Sequence, residues 1–332
     1  MMQQILLGQG DSGYEIDDVF SVDLYNGSGS AQSINNGIDL SGKGGLVWIK
    51  TRTPVNGYVN HNLWDTNRGV RRALHSNTNS VENTSASSTH SLNQFNSNGF
   101  SLGSNWVGEN NSGHTYVAWT FRQAKKFFDV VTYSGNGTSG RTIAHDLGIT
   151  PGLIIIKCLN DTRHWWAFHR SLGNTGATPI FRNNPFTTAQ AYWNNTSPTD
   201  SVFTLGNDVD VNSSGKNYVA YLFAHDTASD GNIQCGDYTG NGSTNGPTVN
   251  LGWRPQMIMV KKVSSGGWYM VDTARGINTN AVDPYLDANA SHAEFDSEQF
   301  FNLTSTGFQN KNRYAATNQN GFQYIYVAIR EA

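Results

Sequence analysis

Charge is what this chain has least of. Asp, Glu, Lys and Arg make up only 14% of its 332 residues, and the formal net charge is −3. Soluble domains usually carry about a quarter charged residues. The balance gives no basic surface for nucleic acid, and the one dense basic stretch, Arg68-Gly69-Val70-Arg71-Arg72, reads as a solvated turn. Cysteine is nearly absent. Cys158 and Cys235 are too few for a disulfide framework and read as reduced structural thiols. No apolar run approaches the ~18 residues of a membrane span, so no membrane insertion is expected. The first residues, MMQQILLGQG, lack the basic region and the apolar length of a signal peptide, which predicts synthesis in a cytoplasm. Ala, Leu, Glu and Lys are scarce, which argues against long helices.

What the chain has instead is Gly (35 residues), Asn, Ser and Thr, aromatics at 12%, and short Ile/Val runs. That composition points to strands and turns around aromatic cores. The chain also repeats itself. Tyr-x-Gly-x-Gly occurs at Tyr25, Tyr133 and Tyr238, spaced 108 and 105 residues apart. Each copy precedes an apolar run ending in lysine: IDLSGKGGLVWIK to Lys50, HDLGITPGLIIIK to Lys157 and VNLGWRPQMIMVK to Lys261. Trp64, Trp166 and Trp268 follow, then Phe100, Phe203 and Phe308, then closing runs GHTYVAWTF, GKNYVAYLF and GFQYIYVAI. A period near 105 is too long for a solenoid repeat and suits a whole domain.

Each copy alternates short strand-like runs with Gly/Asn/Ser turns, the pattern of a β-sandwich. The chain therefore reads as all-β, with three tandem jelly-roll-like sandwiches at 20–124, 125–226 and 227–332. Each is expected to fold around its own core, with residues 1–19 left as an N-terminal segment. In HWWAFHR, strand alternation places Trp165, Ala167 and His169 on one face and His164, Trp166 and Phe168 on the other.

The glycine-rich motif has no phosphate-binding context. No copy reads G-x-x-x-x-G-K-S/T, and none opens a helix inside a βαβ unit. Gly135-Asn136-Gly137 and Gly240-Asn241-Gly242 read as turns of type I′, in which both central residues take φ > 0. Asp65 with Arg68 and Asp272 with Arg275 occupy one position of the repeat beside a tryptophan, and a local bridge that fixes a loop explains them without a ligand. Trp64, Trp166 and Trp268 read as core residues of the repeat.

No metal or cofactor is expected: the histidines have no ligand spacing, and the Asp208/Asp210 loop reads as a solvated turn. No enzyme signal is found. Gly-x-Ser-x-Gly is absent, and no acid recurs across the three copies, whereas sugar hydrolysis uses two facing carboxylates. Glu109 with Asp210 or Asp296 is the weak pairing left for a carbohydrate-active enzyme. Unrepeated aromatics are where a binding function would lie. Trp106, Trp193-Asn194-Asn195, Trp253 and Phe295 are such positions, and Trp beside Asn stacks on sugar faces and bonds hydroxyls. Trp106, Trp193, Asn194 and Trp253 are the ligand-binding candidates, with a host-surface glycan as the ligand.

The segments NNGIDLSGKGGLVWIKTR, WDTNRG, SNGFSLG, GHTYVAWTFR, FFDVVTYSGNG and YIYVAIREA resemble virion structural proteins of marine tailed phages, notably cyanophages. The resemblance spans nearly the whole chain and includes the start MMQQILLGQG. It implies a tail-fibre or tail-tip component, assembled in the host cytoplasm and resident in the virion. Residues 1–19 would then grip neighbouring virion proteins, and a homotrimer is expected. A capsid decoration or adaptor protein is the alternative role.

Overall fold

The computed structural model describes residues 13–53, 59–84, 90–180, 182–277, 282–312 and 315–332. Most of the segment 1–19 expected to grip a partner therefore lies outside the described residues. The fold is all-β. Its helical segments are single turns such as Leu40–Lys43, Gln190–Trp193 and Val209–Asn212.

The strands form three pairs of antiparallel sheets, one pair per repeat. The larger sheet of each pair has a common order: opening strand, closing strand, central strand, fourth strand. In the first unit these are Phe20–Asn26, Thr115–Arg122, Gly45–Thr51 and Asn62–Asp65. In the second they are Phe128–Ser134, Asn217–Ala224, Pro151–Cys158 and Trp166–His169, continued by Gly173–Pro179 and Thr187–Thr188. In the third they are Ile233–Thr239, Gln323–Arg330, Pro255–Lys262 and Trp268–Asp272, continued by Leu286–Asp287. A smaller sheet covers the outer face of each and carries Phe100, Phe203 or Phe308, all fully buried.

The central strands are apolar on both faces because both faces are covered. Their registers coincide. Trp48, Ile155 and Met259 lie opposite Trp119, Tyr221 and Val327 of the closing strands. The inner faces of the three large sheets pack on one another. Leu46, Leu153 and Met257 form one layer of a shared core, and Trp48, Ile155 and Met259 form the next. A small apolar void inside it is walled by Trp48, Phe121, Phe223, Met259, Val327 and Ile329, drawn from all three units.

This corrects the expectation of three self-sufficient cores. The first and third units keep private clusters on their outer faces, around Trp64 and Phe100 and around Phe301 and Phe308. The middle unit's outer cluster merges with the shared one. An inner sheet face made of Leu, Trp, Ile, Met and Phe must be covered, and only the neighbouring units supply a matching surface.

The contact closes into a ring. A long loop of each unit makes the same backbone hydrogen bond to the neighbour, two residues past the lysine that ends the neighbour's central apolar run. Glu82 N donates to Leu159 O at 2.8 Å, Phe186 N to Val263 O at 3.1 Å, and Glu294 N to Arg52 O at 2.9 Å. The first unit grips the second, the second grips the third, and the third returns to the first.

The tryptophan landmarks need correcting. Trp64 lies opposite Val47, Trp166 opposite Ile156, and Trp268 opposite Lys261, so they occupy three different rungs. The connections between central and fourth strands differ in length, and each one-residue offset reverses the face a side chain takes. The structurally equivalent inward positions are His61, Trp165 and Trp268. The equivalent strand ends, opposite Leu46, Leu153 and Met257, are Asp65, His169 and Asp272.

Candidate functional site

The Tyr-x-Gly-x-Gly loops carry the chain from the large sheet to the small one, so they are not hairpin turns. Their glycines at 29, 137 and 242 have φ of 70°, 72° and 66°, whereas Asn136 and Asn241 are not in the positive-φ region. The type I′ expectation is therefore wrong. Asn136 Oδ1 instead accepts from Thr138 N at 2.9 Å, and Asn241 Oδ1 accepts from Ser243 N at 3.0 Å, an Asx-type turn. The first glycine of each motif is required by contact. A Cβ on Gly27, Gly135 or Gly240 would run into the backbone of Asn111, Ser213 or Asn318–Gln319.

Each loop is clamped by a buried asparagine that the sequence reading missed. Asn110, Asn212 and Asn318 accept from the backbone N–H of Ser28, Asn136 and Asn241 at 2.9, 3.0 and 2.8 Å. Their amide N–H groups donate to carbonyls of the same loop and its neighbour, as Asn212 does to Thr138 and Gly206. The signal was present: all three sit in Asn-x-x-Gly-x-x-Tyr. That closing tyrosine stacks on the motif tyrosine in every unit, with ring centroids 5.2, 5.2 and 5.3 Å apart. The motif is structural in all its parts.

The Asp–Arg pairs are buried bridges, and they also lock the ring. Asp65 Oδ1 accepts from Arg68 N and Asp272 Oδ1 from Arg275 N, both at 2.9 Å, and the guanidinium groups close back on the same carboxylates. Arg68 Nη2 and Arg275 Nη2 each donate to a carbonyl five residues earlier. Across the unit boundary, Asp65 accepts from Tyr221 Oη at 2.8 Å, and Asp272 accepts from Trp119 Nε1 at 3.0 Å. His169 stands at the equivalent place in the middle unit. Its Nδ1 accepts from Ser171 N, which leaves Nε2–H to donate to Tyr326 O at 3.2 Å. Burial disfavours the Arg68 cation, but Asp65, Tyr221 and Glu82 outweigh it and hold the pKa above the ordinary value. Arg68 is thus drawn inward, against its reading as part of a solvated turn; Arg72 is half exposed.

The expected sugar platform is not assembled. Trp193 and Trp253 are 1% and 5% exposed and belong to cores of different units. Trp106 packs edge-on against Trp64 at 6.3 Å. Asn194 takes left-handed φ to end the short helix Gln190–Trp193. These residues were singled out for having no repeat counterpart, but they fill space that differs between units. The acids do not converge either. Glu109 is fully buried in the first unit and accepts from Trp64 Nε1 at 2.6 Å and Leu92 N at 2.9 Å. Burial pushes its carboxyl up to about 8, against the pull of those two bonds. Asp210 belongs to the middle unit and accepts from Trp166 Nε1 at 2.6 Å, while Asp296 is exposed on the third. Among the described residues no three His, Cys, Asp or Glu side chains cluster as metal ligands. Cys158 and Cys235 are free and buried.

Among the described residues, all three units meet around an open polar surface at the lysine end of the shared core. Lys50, Lys157 and Lys261 form the layer beyond Trp48, Ile155 and Met259, and each is 0–1% exposed. Their ammonium groups bond backbone carbonyls: Lys50 to Thr51 and Ser291, Lys157 to Cys158 and Asn79, Lys261 to Gly266 and Arg182. In every case one carbonyl belongs to the adjacent unit. Among the described residues no carboxylate forms an ion pair with them. Desolvation lowers all three to about 8, so they remain largely charged at neutral pH.

Over this layer lies a cleft of about 440 Å³, lined by Asn77, Thr78 and Asn79 of the first unit, His164, Trp165, Ile180, Arg182, Asn183 and Asn184 of the second, and Asn289 of the third. Trp165 forms its floor, donating through Nε1 to His75 O and Thr78 O, each at 3.1 Å. Asn289 donates to Asn183 Oδ1 at 3.1 Å and so joins two walls. The lining holds amides, a hydroxyl, an imidazole, a guanidinium and an indole. No carboxylate is among the described lining residues, and these groups can hold a polar ligand.

Residues 16–332 match a domain of unknown function (DUF7483), a single family span that covers all three units. No curated protein and no solved structure matches the chain.

Proposed function

The chain belongs to the DUF7483 family, and from that premise we propose that it is a non-enzymatic structural and recognition component of a virus particle, of tail-fibre or tail-tip type. The observation that carries this reading is the use made of the repeated polar residues. Asp65, Arg68, His169, Asp272 and Arg275 are all engaged in contacts that hold the three units together. Glu109 and Asp210, the acids weighed for sugar hydrolysis, are engaged within separate units. The cleft at the lysine end is open to a partner. The resemblance to virion proteins of marine tailed phages supports the particle role.

On this reading the protein is assembled in the host cytoplasm and carried in the virion. Its ring closes within one chain, so a homotrimer would be built on outer faces; light scattering of the purified chain reads that directly. The role itself is tested by epitope-tagging the chain in assembled particles and locating it by electron microscopy. Density at a tail fibre or tip is expected. Absence from purified particles overturns the proposal, and density on the capsid shell favours the decoration role instead.

A further inference from the structure

The lysine-end cleft has free polar groups and an unbalanced charge beneath them, and together they specify a ligand. Asn77, Asn183 and Asn289 are committed to neighbours within the walls. The side chains of Asn79, His164, Arg182 and Asn184 have no hydrogen-bond partner among the described residues. Directly under them lie the buried ammonium groups of Lys157 and Lys261, which hold the backbone carbonyls of Asn79 and Arg182. Lys50 reaches Ser291, two residues from Asn289. The nearest acid that acts on His164, Asp210, is already bonded to Trp166 and paired with Arg163. Among the described residues the three buried lysines form no ion pair with a carboxylate, Asp161 and Asp210 acting on Lys157 only at a distance, and the Arg182 guanidinium lies in the cleft above them, so cationic groups predominate here.

We propose that this cleft binds an anionic saccharide: a sugar bearing a carboxylate that docks on Arg182, with its hydroxyls taken by the amides of Asn79 and Asn184. A guanidinium receives a carboxylate through two parallel bonds, and amides supply both donors and acceptors for hydroxyls. The volume suits about one to two sugar rings. A polyanionic duplex does not suit a chain of net charge −3 with more acidic than basic residues. The assignment rests on the recognition role proposed above and gives it a ligand class.

The test is calorimetric titration of the whole chain with a glucuronic-acid-terminated disaccharide, its methyl ester, and the corresponding neutral glucose disaccharide. Saturable binding of the acid is expected, weakened about tenfold or more by esterification. Arg182→Ala should weaken it by a similar factor. It removes the side chain and leaves the carbonyl that holds Lys261, so thermal unfolding should stay unchanged. Asn184→Asp, an exposed position, should also weaken the acid by placing a like charge beside it. Should the acid and its ester bind equally, should Arg182→Ala leave affinity intact, or should the acid fail to saturate, the assignment is overturned. None of these results moves the protein out of a particle, and absence from particles would leave binding in the cleft intact. The two readings therefore fail separately.

Discussion

The hydroxyl of Tyr221 donates to Oδ2 of Asp65 at 2.8 Å, from the closing strand of the middle unit to the end of the first unit's fourth strand. The same carboxylate bridges Arg68, so one buried acid serves both a local turn and the boundary between units. Tyr221→Phe should lower stability by about 1–2 kcal/mol. Asp65→Asn should cost more, about 2–4 kcal/mol, because the buried Arg68 cation then keeps only Glu82 as a carboxylate partner. Urea unfolding of the two variants reads the order directly; equal effects would mean that the Arg68 bridge adds nothing beyond the tyrosine contact, and no effect of Tyr221→Phe would mean that the tyrosine contact contributes nothing.

Asn212 satisfies three backbone groups from a fully buried position. Replacing its amide N–H donors by a carboxylate sets an acceptor against the carbonyls of Thr138 and Gly206. Asn212→Asp should destabilise by about 2–4 kcal/mol near neutral pH. The denaturation midpoint measures it, and Asn110→Asp and Asn318→Asp should behave alike if the clamp works the same way in each unit.

The lysine layer predicts an unusual pH dependence. Burial lowers Lys157 to about 8 from its ordinary value of 10.5. The folded chain releases this proton near pH 8 and the unfolded chain only near 10.5, so between those values the unfolded state binds more protons and stability rises with pH. The contribution is complete above the unfolded value and lost as pH falls through about 8. Glu109, raised to about 8, acts in the opposite sense: its contribution fades as pH climbs from 4.5 to about 8. Lys157→Met isolates the lysine. It should stabilise the protein at neutral pH by on the order of 1–3 kcal/mol, with the gain shrinking toward about pH 10. A gain that does not change with pH would contradict the buried-charge account.

Because the largest core is shared, the chain should melt as one cooperative unit. Calorimetry of the intact protein should give a single transition whose calorimetric and van't Hoff enthalpies agree. The excised middle unit, residues 125–226, would expose its inner sheet face and should bind a hydrophobic dye and aggregate. If it instead unfolds cooperatively as a soluble monomer, the ring is not needed to complete its core.

Much of this architecture was legible. The apolar runs LIII and MIMV read as strands covered on both sides and LVWI as their counterpart in the repeat, and all three are central strands. Phe100, Phe203 and Phe308 recur at one point of the repeat, and each is buried on the small sheet of its unit. Alternation in HWWAFHR separated Trp165, Ala167 and His169 from Trp166 and Phe168, and those three do share the inner side of the fourth strand and its approach. The repeat alignment nevertheless chose Trp166 as the landmark, because a tryptophan after each lysine was the conspicuous common feature. The loops between differ in length, and in a strand one residue of offset exchanges the two faces. The candidate site was the least legible part. Trp106, Trp193 and Trp253 drew attention as large unrepeated aromatics, yet a tryptophan is more readily buried than displayed. The cleft is made of Asn79, His164, Arg182 and Asn184, ordinary polar residues from segments about a hundred positions apart.

Sequence by itself determined the strands, the turns and the threefold repetition, because each depends on neighbours a few residues away: alternation, β-branched and apolar runs, and glycines where backbones touch. Only the tertiary structure decided that the three units share a core, that Asp65, His169 and Asp272 are equivalents, and that three lysines end up stacked beneath one cleft. Those outcomes depend on which apolar face finds which partner once the chain closes on itself, and no local pattern encodes the closure of a ring.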